Sequence, residues 1–353
     1  MRGFLMLPLL VLACPSHAQF GEKVRRFLNG DSAAGPDYDT AYVLSYSSTL
    51  TLTALASYRT VDVDLEQPSG NTLTYSTNTP EQYGLGLDYK WLSVEATFTV
   101  PALGSTDPSL GESRSRGLGI GYTGRRLWAR GFWNSTKGYY LNEPARWMAG
   151  WKPGDAQVTR GDLSSDTYMA SLNWALSRKR RYSQNAALYQ MERQKRSAGT
   201  FVAGFSAWRT VVGADSSLIG PALVDTFQLA SGFTTVRRTL LGASIGYMHT
   251  FSFWHKGFLN AAFLPGLAYA HQVIGLPDGT TLTGTGAGSL IEMKLGAGYN
   301  GDSWYTALTF SYYYSTTPIA DNLNLASNYT FGRFALGVRL GALRSKALHK
   351  VGL

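Results

Sequence analysis

The sequence predicts an all-β protein, a transmembrane antiparallel up-and-down β-barrel of about twelve strands. Three observations carry that prediction. Apolar and polar residues alternate with period two through most of the chain, the polar partners are glycines, hydroxyls and single charges, and short connections alternate with long ones. Period two sends successive side chains to opposite faces of a strand. A soluble sandwich also alternates, but its outer face is normally rich in lysine and glutamate. A lipid-facing apolar belt around a polar lumen is what this mixture fits. The 21 tyrosines, 9 tryptophans and 39 glycines suit strands that end in aromatic girdles. Hydrophobic residues make up 44% of the chain at a mean hydropathy of −0.12, and no apolar run is long enough for a membrane helix.

The chain opens with Arg2, an apolar run from Phe4 to Ala13, and small residues ending at Ala18. That is the pattern of a secretory signal over residues 1–18. Val11-Leu12-Ala13-Cys14 offers a rival reading as a lipoprotein box with Cys14 acylated, against which stands the large Leu12. Cleavage after Ala18 removes the one cysteine, and with it disulfides, thiol catalysis and cysteine-bound zinc. Residues 19–48 read as a leader, either a periplasmic tail or a plug folded into the lumen. The barrel is expected over residues 49–343 and a basic tail over 344–353. The formal charge of +9 fits contact with lipopolysaccharide phosphates or anionic solutes, and equally fits solvated loops. No Arg/Lys stripe interleaves with aromatics, so nucleic acid is not an expected partner.

The strands follow in order. Leu50, Leu52, Ala54, Ala56 and Tyr58 face outward against Thr49, Thr51 and Thr53. Tyr83 to Val100 gives the clearest pair: Leu85 and Leu87 oppose Gly86 and Asp88, then Val94, Ala96 and Phe98 oppose Glu95 and Thr97. Leu118, Ile120 and Tyr122 alternate with Gly117, Gly119 and Gly121, while Leu127 to Ser135 is less regular. Further outward faces run Tyr168 to Leu176, Leu241 to Phe251, Leu259 to Tyr269, Ile291 to Tyr299, Leu308 to Tyr314 and Phe334 to Leu340. In the last of these, Arg333 and Arg339 alternate with an unbroken aliphatic face, which places arginine in a wet lumen.

Tight turns fall at Trp91, Gly124 to Arg126, Arg178 to Arg181, Trp254 to Lys256 and Gly301-Asp302. Long loops fall near Glu66, Thr106, Trp147 to Gly161, Gly213 to Gly232, Pro277 to Gly286 and Pro318 to Asn328. Their alternation matches periplasmic turns and external loops. Tyr182 to Arg209 is too long for one membrane strand of about 9–11 residues. It is read either as one strand extending beyond the bilayer or as a hairpin near Arg193, which raises the total to fourteen.

Gly84-Leu85-Gly86 with Tyr89-Lys90-Trp91-Leu92, then Lys137 to Tyr140, then Gln194 to Thr200, carry a resemblance. Together they resemble the landmarks of an uncharacterised family, a domain of unknown function found in exported proteins and expected to form outer-membrane β-barrels. The resemblance spans about Asp39 to the last strand. It implies a barrel in a Gram-negative outer membrane and transfers no activity. Many barrels close with a terminal aromatic, whereas here the segment from Arg344 to Leu353 follows the last strand.

Parity assigns Asp88, Lys90, Glu95, Glu192, Arg196, Glu292, Lys294, Arg333 and Arg339 to the lumen. They read as a charge-lined constriction or as a salt-bridged network that fills a narrow barrel. Tyr139, Tyr140, Trp147 and Trp151, with Arg146 and Lys152, are candidates for binding sugar or lipopolysaccharide in an external loop, or for packing on their neighbours. His271 is the best placed histidine for a lipid hydrolase at the outer rim; His249 shares the outward parity, His255 sits in a turn and His349 in the tail. No nucleophile elbow, zinc-protease helix or phosphate loop occurs, and Gly284-x-Gly286-x-Gly288 has no helix after it. No enzyme, metal or cofactor is expected. The expected partners are outer-membrane lipid, lipopolysaccharide and the barrel-assembly machinery. The leading expectation is a narrow passive channel; the alternatives are a closed structural or surface-interaction barrel and a rim-located hydrolase.

Overall fold

The structure is a computed structural model that describes residues 38–60, 62–67, 70–78, 81–104, 107–124, 126–220, 223, 227, 232–316, 324–325 and 329–341. The expected signal peptide, Cys14, the leader as far as residue 37 and the basic tail lie outside the described residues. In chain order the strands are β1 (Val43–Ser45), β2 (Leu50–Thr60), β3 (Val63–Glu66), β4 (Thr72–Ser76), β5 (Glu81–Tyr89), β6 (Leu92–Phe98), β7 (Arg114–Thr123), β8 (Leu127–Leu141) and β9 (Thr159–Ala175). They continue with β10 (Glu192–Gln194), β11 (Ala198–Gly213), β12 (Thr235–Phe253), β13 (Gly257–Gly275), β14 (Thr281–Asn300), β15 (Trp304–Thr316), β16 (Asn324–Leu325) and β17 (Tyr329–Gly341).

Twelve strands close a ring in the order β2, β5, β6, β7, β8, β9, β11, β12, β13, β14, β15, β17, each antiparallel to the next. The seam joins β17 to β2 from Thr330 opposite Thr60 to Gly341 opposite Leu50. Closure leaves no open edge, the condition for β-structure in hydrocarbon. The ring is inside out by the standard of a soluble protein. Leu85, Phe205, Leu267 and Leu308 are 64%, 60%, 74% and 61% exposed on the outer wall, while Glu95 and Glu292 are 5% and 1% exposed within. Each large apolar side chain left in water forgoes roughly 1.5–3 kcal/mol of burial, so this wall is stable only against lipid. The expected twelve-strand transmembrane barrel is what the chain forms.

One end of the ring carries tight turns. Trp254 and His255 take φ of 47° and 62°, left-handed values within the three-residue connection from Phe253 to Gly257, and Lys90 takes 51°. At the other end the strands run on past the ring. β3 and β4 form a hairpin that pairs with the end of β8, and β16 adds to β3. β13 keeps a proline at Pro265, and its ladder to β12 is interrupted opposite Ile245, where the proline has no N–H to give.

The segment from Tyr182 is neither of the two forms expected of it. β11 begins at Ala198, and residues 182–197 leave the wall at the turn end and fold into the lumen. They make one wide helical turn, Asn185–Tyr189, followed by β10, which pairs with β1 of the leader. Its Ala186 and Ala187 are 1% and 0% exposed, and side chains this small let the turn lie against the inner wall. Gln190, at φ 55°, ends the turn and sends the chain back toward the mouth.

Candidate functional site

The lumen is filled in three layers. At the turn end, the inserted turn packs Tyr182, Ala187 and Leu188 against Trp128, Val202, Met248 and Leu264 of the wall. Ser183 organises the turn: its hydroxyl accepts from the Ala186 N–H at 2.9 Å and donates to Glu192 Oε2 at 2.6 Å. The Gln194 amide donates to the carbonyls of Arg181, Arg196 and Tyr42 and accepts the Ser183 N–H, which ties both stems of the insertion to the leader. Arg339 donates to the Gln190 carbonyl at 2.7 Å and to Asn300 Oδ1 at 2.7 Å, while its guanidinium lies 3.8 Å from the Tyr46 ring centroid.

Asp302, in the turn between β14 and β15, completes this latch. Its carboxylate accepts from Tyr46 Oη at 2.9 Å, Arg193 Nη1 at 2.8 Å and Lys256 Nζ at 2.8 Å. The Lys256 ammonium first, then the Tyr46 hydroxyl, hold the Asp302 carboxyl down at about 2. Burial first, then the hydrogen bond to Asp302, push the Tyr46 hydroxyl up to about 12.

The middle layer is charged. Glu95 receives Arg130 at 2.7 Å and Arg333 at 3.7 Å, with side-chain exposures of 5%, 17% and 8%. Gly86 and Gly119 face Glu95 across its two ladders, and a side chain at Gly119 would collide with its carboxylate arm. The glycines of β7 thus leave room for long charged neighbours. Arg59 donates to Gln82 Oε1 and Asn134 Oδ1, each at 3.0 Å, between the rings of Phe132 and Phe331 at 4.2 and 4.8 Å. Lys294 meets Glu292 at 3.2 Å. Tyr189, at the tip of the insertion, lies 4.8 Å from Arg130 and joins the first layer to the second. A cavity of about 80 Å³ among Glu95, Arg130, Tyr189, Lys294, Tyr313 and Arg333 has room for a few waters.

The loop end is apolar. Val63, Leu65, Leu73, Tyr75, Leu141, Leu163, Val212, Leu218, Phe233, Val236 and Ile274 form one buried cluster from the strand extensions and the loop after β11. Tyr75 Oη donates to the Leu218 carbonyl at 2.8 Å, so even the tyrosine in this layer is satisfied internally.

The residues expected from parity fall into these layers unevenly. Asp88, Glu95, Glu292, Lys294 and Arg333 are buried on the inner wall. Glu192 is buried too, but on the insertion rather than the wall. Arg339 is half-buried at the turn-end mouth. Lys90 and Arg196 do not line the lumen. Lys90 sits in a tight turn that breaks the alternation, with its ammonium 5.6 Å from the Tyr89 ring. Arg196 is exposed at the mouth, 5.8 Å from the Tyr42 ring, because the insertion ends there and the wall resumes only at Ala198. Among the loop candidates, Tyr139 is 2% exposed and bonded to Ser165 at 2.6 Å inside the loop-end cluster, and Trp147 packs on Phe227 at 5.1 Å. Tyr140 is half-buried, and the Trp151 indole donates to the Ala156 carbonyl of its own loop at 3.3 Å.

Sequence reasoning missed Arg59, Arg130 and Arg238, which are inward on β2, β8 and β12. Arg59 was reachable by extending the Thr51–Thr53 parity. Arg130 was not, because Trp128 and Phe132 beside it are also inward and Trp133 is outward. His249 and His271 lie on the outer wall, and among the described residues no group of three His, Cys, Asp or Glu could hold a metal.

The sequence profile of a domain of unknown function, DUF4421, matches residues 37–339. No curated protein matches the chain. Among solved structures, the outer-membrane protease OmpT from Escherichia coli is 10% identical with a TM-score of 0.39, over 83% of this chain and 97% of that one. The translocator domain of the autotransporter NalP from Neisseria meningitidis is 11% identical with a TM-score of 0.37, over 92% and 97%. The β-domain of the Bordetella autotransporter BrkA is 12% identical with a TM-score of 0.33, over 83% and 99%.

Proposed function

The chain belongs to the DUF4421 family, and on that premise we propose that it is an outer-membrane β-barrel with a closed lumen that acts through its surface rather than as an open pore. The turn end then faces the periplasm and the loop end the exterior, with export directed by residues 1–18 and insertion by the barrel-assembly machinery. The observation that carries the reading is the insertion at residues 182–197, which occupies the periplasmic half of the lumen below a charged layer and an apolar cap. A passive channel selected by its lumen charges needs those charges in contact with water, yet Glu95, Glu292, Lys294 and Arg333 are all at most 7% exposed. The charges serve instead as a buried set of ion pairs, Arg130 and Arg333 on Glu95 and Lys294 on Glu292. The ordered apolar cap supplies a firm base for the external loops around Tyr140 and Trp151.

Planar-bilayer recording of the refolded mature protein tests this. The wild type is expected to be silent after heat-modifiable migration has shown a folded barrel. Replacing residues 178–196 by a tight turn keeps the ring, because the β9–β11 ladder begins beyond it at Ala175 opposite Val202. That variant is expected to stay silent too, since the apolar cap remains. Discrete steps from the wild type, with ion preference reversed in a variant carrying Arg333→Glu, would establish the channel instead.

A further inference from the structure

The outer wall holds a feature that the lumen does not explain. Across β7, β8, β9, β11 and β12 lies a lipid-facing apolar groove of about 710 Å³. Its floor includes Gly131, Ala170 and Ala207, and its sides include Ile120, Phe205 and Leu241. The register places Ile120, Gly131, Ala170, Ala207 and Leu241 in one row around the barrel. Small residues set in a row between large ones make the wall concave, and the volume lies within the roughly 300–1,000 Å³ of typical ligand pockets.

The next rows toward the loop end change character. One residue pair further along stand Trp133, Tyr168 and Arg209, and the row after that holds Arg116 and Arg237. Arg209 and Arg237 are diagonal neighbours on adjacent strands, roughly 7–8 Å apart at Cα. Both are exposed, and neither has an ion-pair partner among the described residues. Arg116 stands three strands and one row from Arg209, about 16 Å away, with its guanidinium 5.2 Å from the Trp133 ring. Among the described residues, these two rows hold one acid, Asp166, which accepts the Trp133 indole N–H at 3.3 Å. Three guanidiniums against one carboxylate leave a positive rim at the head-group end of an apolar groove.

From this juxtaposition we infer that the groove and its rim bind a phosphate-bearing, multiply acylated lipid of the leaflet on the loop side. The acyl chains lie against Gly131, Ala170 and Ala207, and a phosphate sits between Arg209 and Arg237. Guanidinium forks match phosphate oxygens bidentately, and the polar tips of Trp133 and Tyr168 suit the interface between chains and head groups. The inference rests on the outer-membrane placement proposed above but not on closure of the lumen.

The test uses the full mature barrel in neutral detergent, with lipid A as the probe and the same lipid stripped of its phosphates as the control. Tighter binding of the phosphorylated form is expected. Arg209→Gln with Arg237→Gln should weaken it about 30-fold, from about 1 kcal/mol per surface cation. Arg209→Lys with Arg237→Lys should retain most of the affinity, and Ala207→Trp, which fills the groove, should lose it while the rim stays intact. Equal affinity for both lipids, or unchanged affinity in the Gln pair, would overturn the inference. Displacement of the lipid by equimolar inorganic phosphate would also overturn it, by making the ligand a soluble anion. Heat-modifiable migration verifies that each variant is folded, and failure of the closed-lumen reading would appear as bilayer current without any change in lipid binding.

Discussion

Replacing Glu95 by Gln keeps the shape of the side chain and removes the charge that two lumen guanidiniums share. Arg130 lies 2.7 Å and Arg333 3.7 Å from its oxygens, with all three side chains at most 17% exposed. A pair near 4 Å is worth about 1 kcal/mol in water and about 4 kcal/mol at an effective dielectric of 20. Removing one member of a buried pair costs about 3–5 kcal/mol, because the partner stays buried without its counter-charge. The cavity of about 80 Å³ beside the cluster leaves room for the freed Arg130 to relax, which places the expected loss at the low end, near 3 kcal/mol. With a urea dependence of about 3 kcal/mol per M, that shifts the unfolding midpoint down by about 1 M. The assay is reversible urea unfolding of the barrel in lipid, followed by tryptophan fluorescence. A second variant, Arg130→Met, and the double variant complete a cycle. The double variant should be about 2 kcal/mol more stable than the sum of the single losses. A Glu95→Gln barrel as stable as the wild type, or strictly additive losses in the cycle, would refute the view that the middle layer is a coupled network.

Two further outcomes follow from the latch and the wall. Asp302→Asn should release the insertion without opening the ring, seen as faster hydrogen exchange at the Tyr46 and Lys195 amides, which pair with the Met191 and Tyr42 carbonyls. In the wild type the same change should come with acid. The Asp302 carboxyl is held at about 2, so its contribution is full above the ordinary carboxylate range near 4 and is lost as pH falls through 2. Its side chain is 56% exposed, so that contribution is at most about 1 kcal/mol, and unchanged protection of these amides, relative to their free exchange rates, between pH 5 and pH 2 would remove Asp302 from the latch. Gly337→Ala should cost about 1–3 kcal/mol, a fall of about 0.3–1 M in the urea midpoint, because the new Cβ enters the Tyr305 ring, which Thr53 anchors by a hydroxyl contact of 2.6 Å. An unshifted midpoint would mean that the ring can move aside.

The wall was legible because lipid enforces alternation residue by residue. Leu85 and Asp88 sit three apart and face opposite media, so parity alone assigned them. The insertion was not legible for the same reason. Once strands are expected, Glu192 and Arg196 are counted by parity as wall residues, although they follow a five-residue helical turn that resets the count. Its excess length between Tyr182 and Arg209 was visible, and so was the run Asn185-Ala186-Ala187-Leu188, which has no period of two. Nothing local says that such a run turns inward; that follows from the space inside a ring of twelve. The loop-end cluster is illegible for a different reason. Leu65, Leu73, Leu163 and Phe233 come from strand extensions and loops widely separated in sequence, and only the closed ring brings them together.

The pairing of β1 with β10 also has a mechanical side. It spans three residue pairs, from Val43 opposite Gln194 to Ser45 opposite Glu192, and the chain ahead of it leaves at the Gln194 end. A load drawing the leader away from the mouth therefore peels the ladder from Lys195 inward, one backbone bond at a time, each worth about 1 kcal/mol. The insertion is held separately, by Arg339 on the Gln190 carbonyl and by Asn300 on the Glu192 carbonyl, and neither bond lies on that line of force. Tension applied at the turn end is thus shed at a weak joint before it reaches the turn lodged in the lumen.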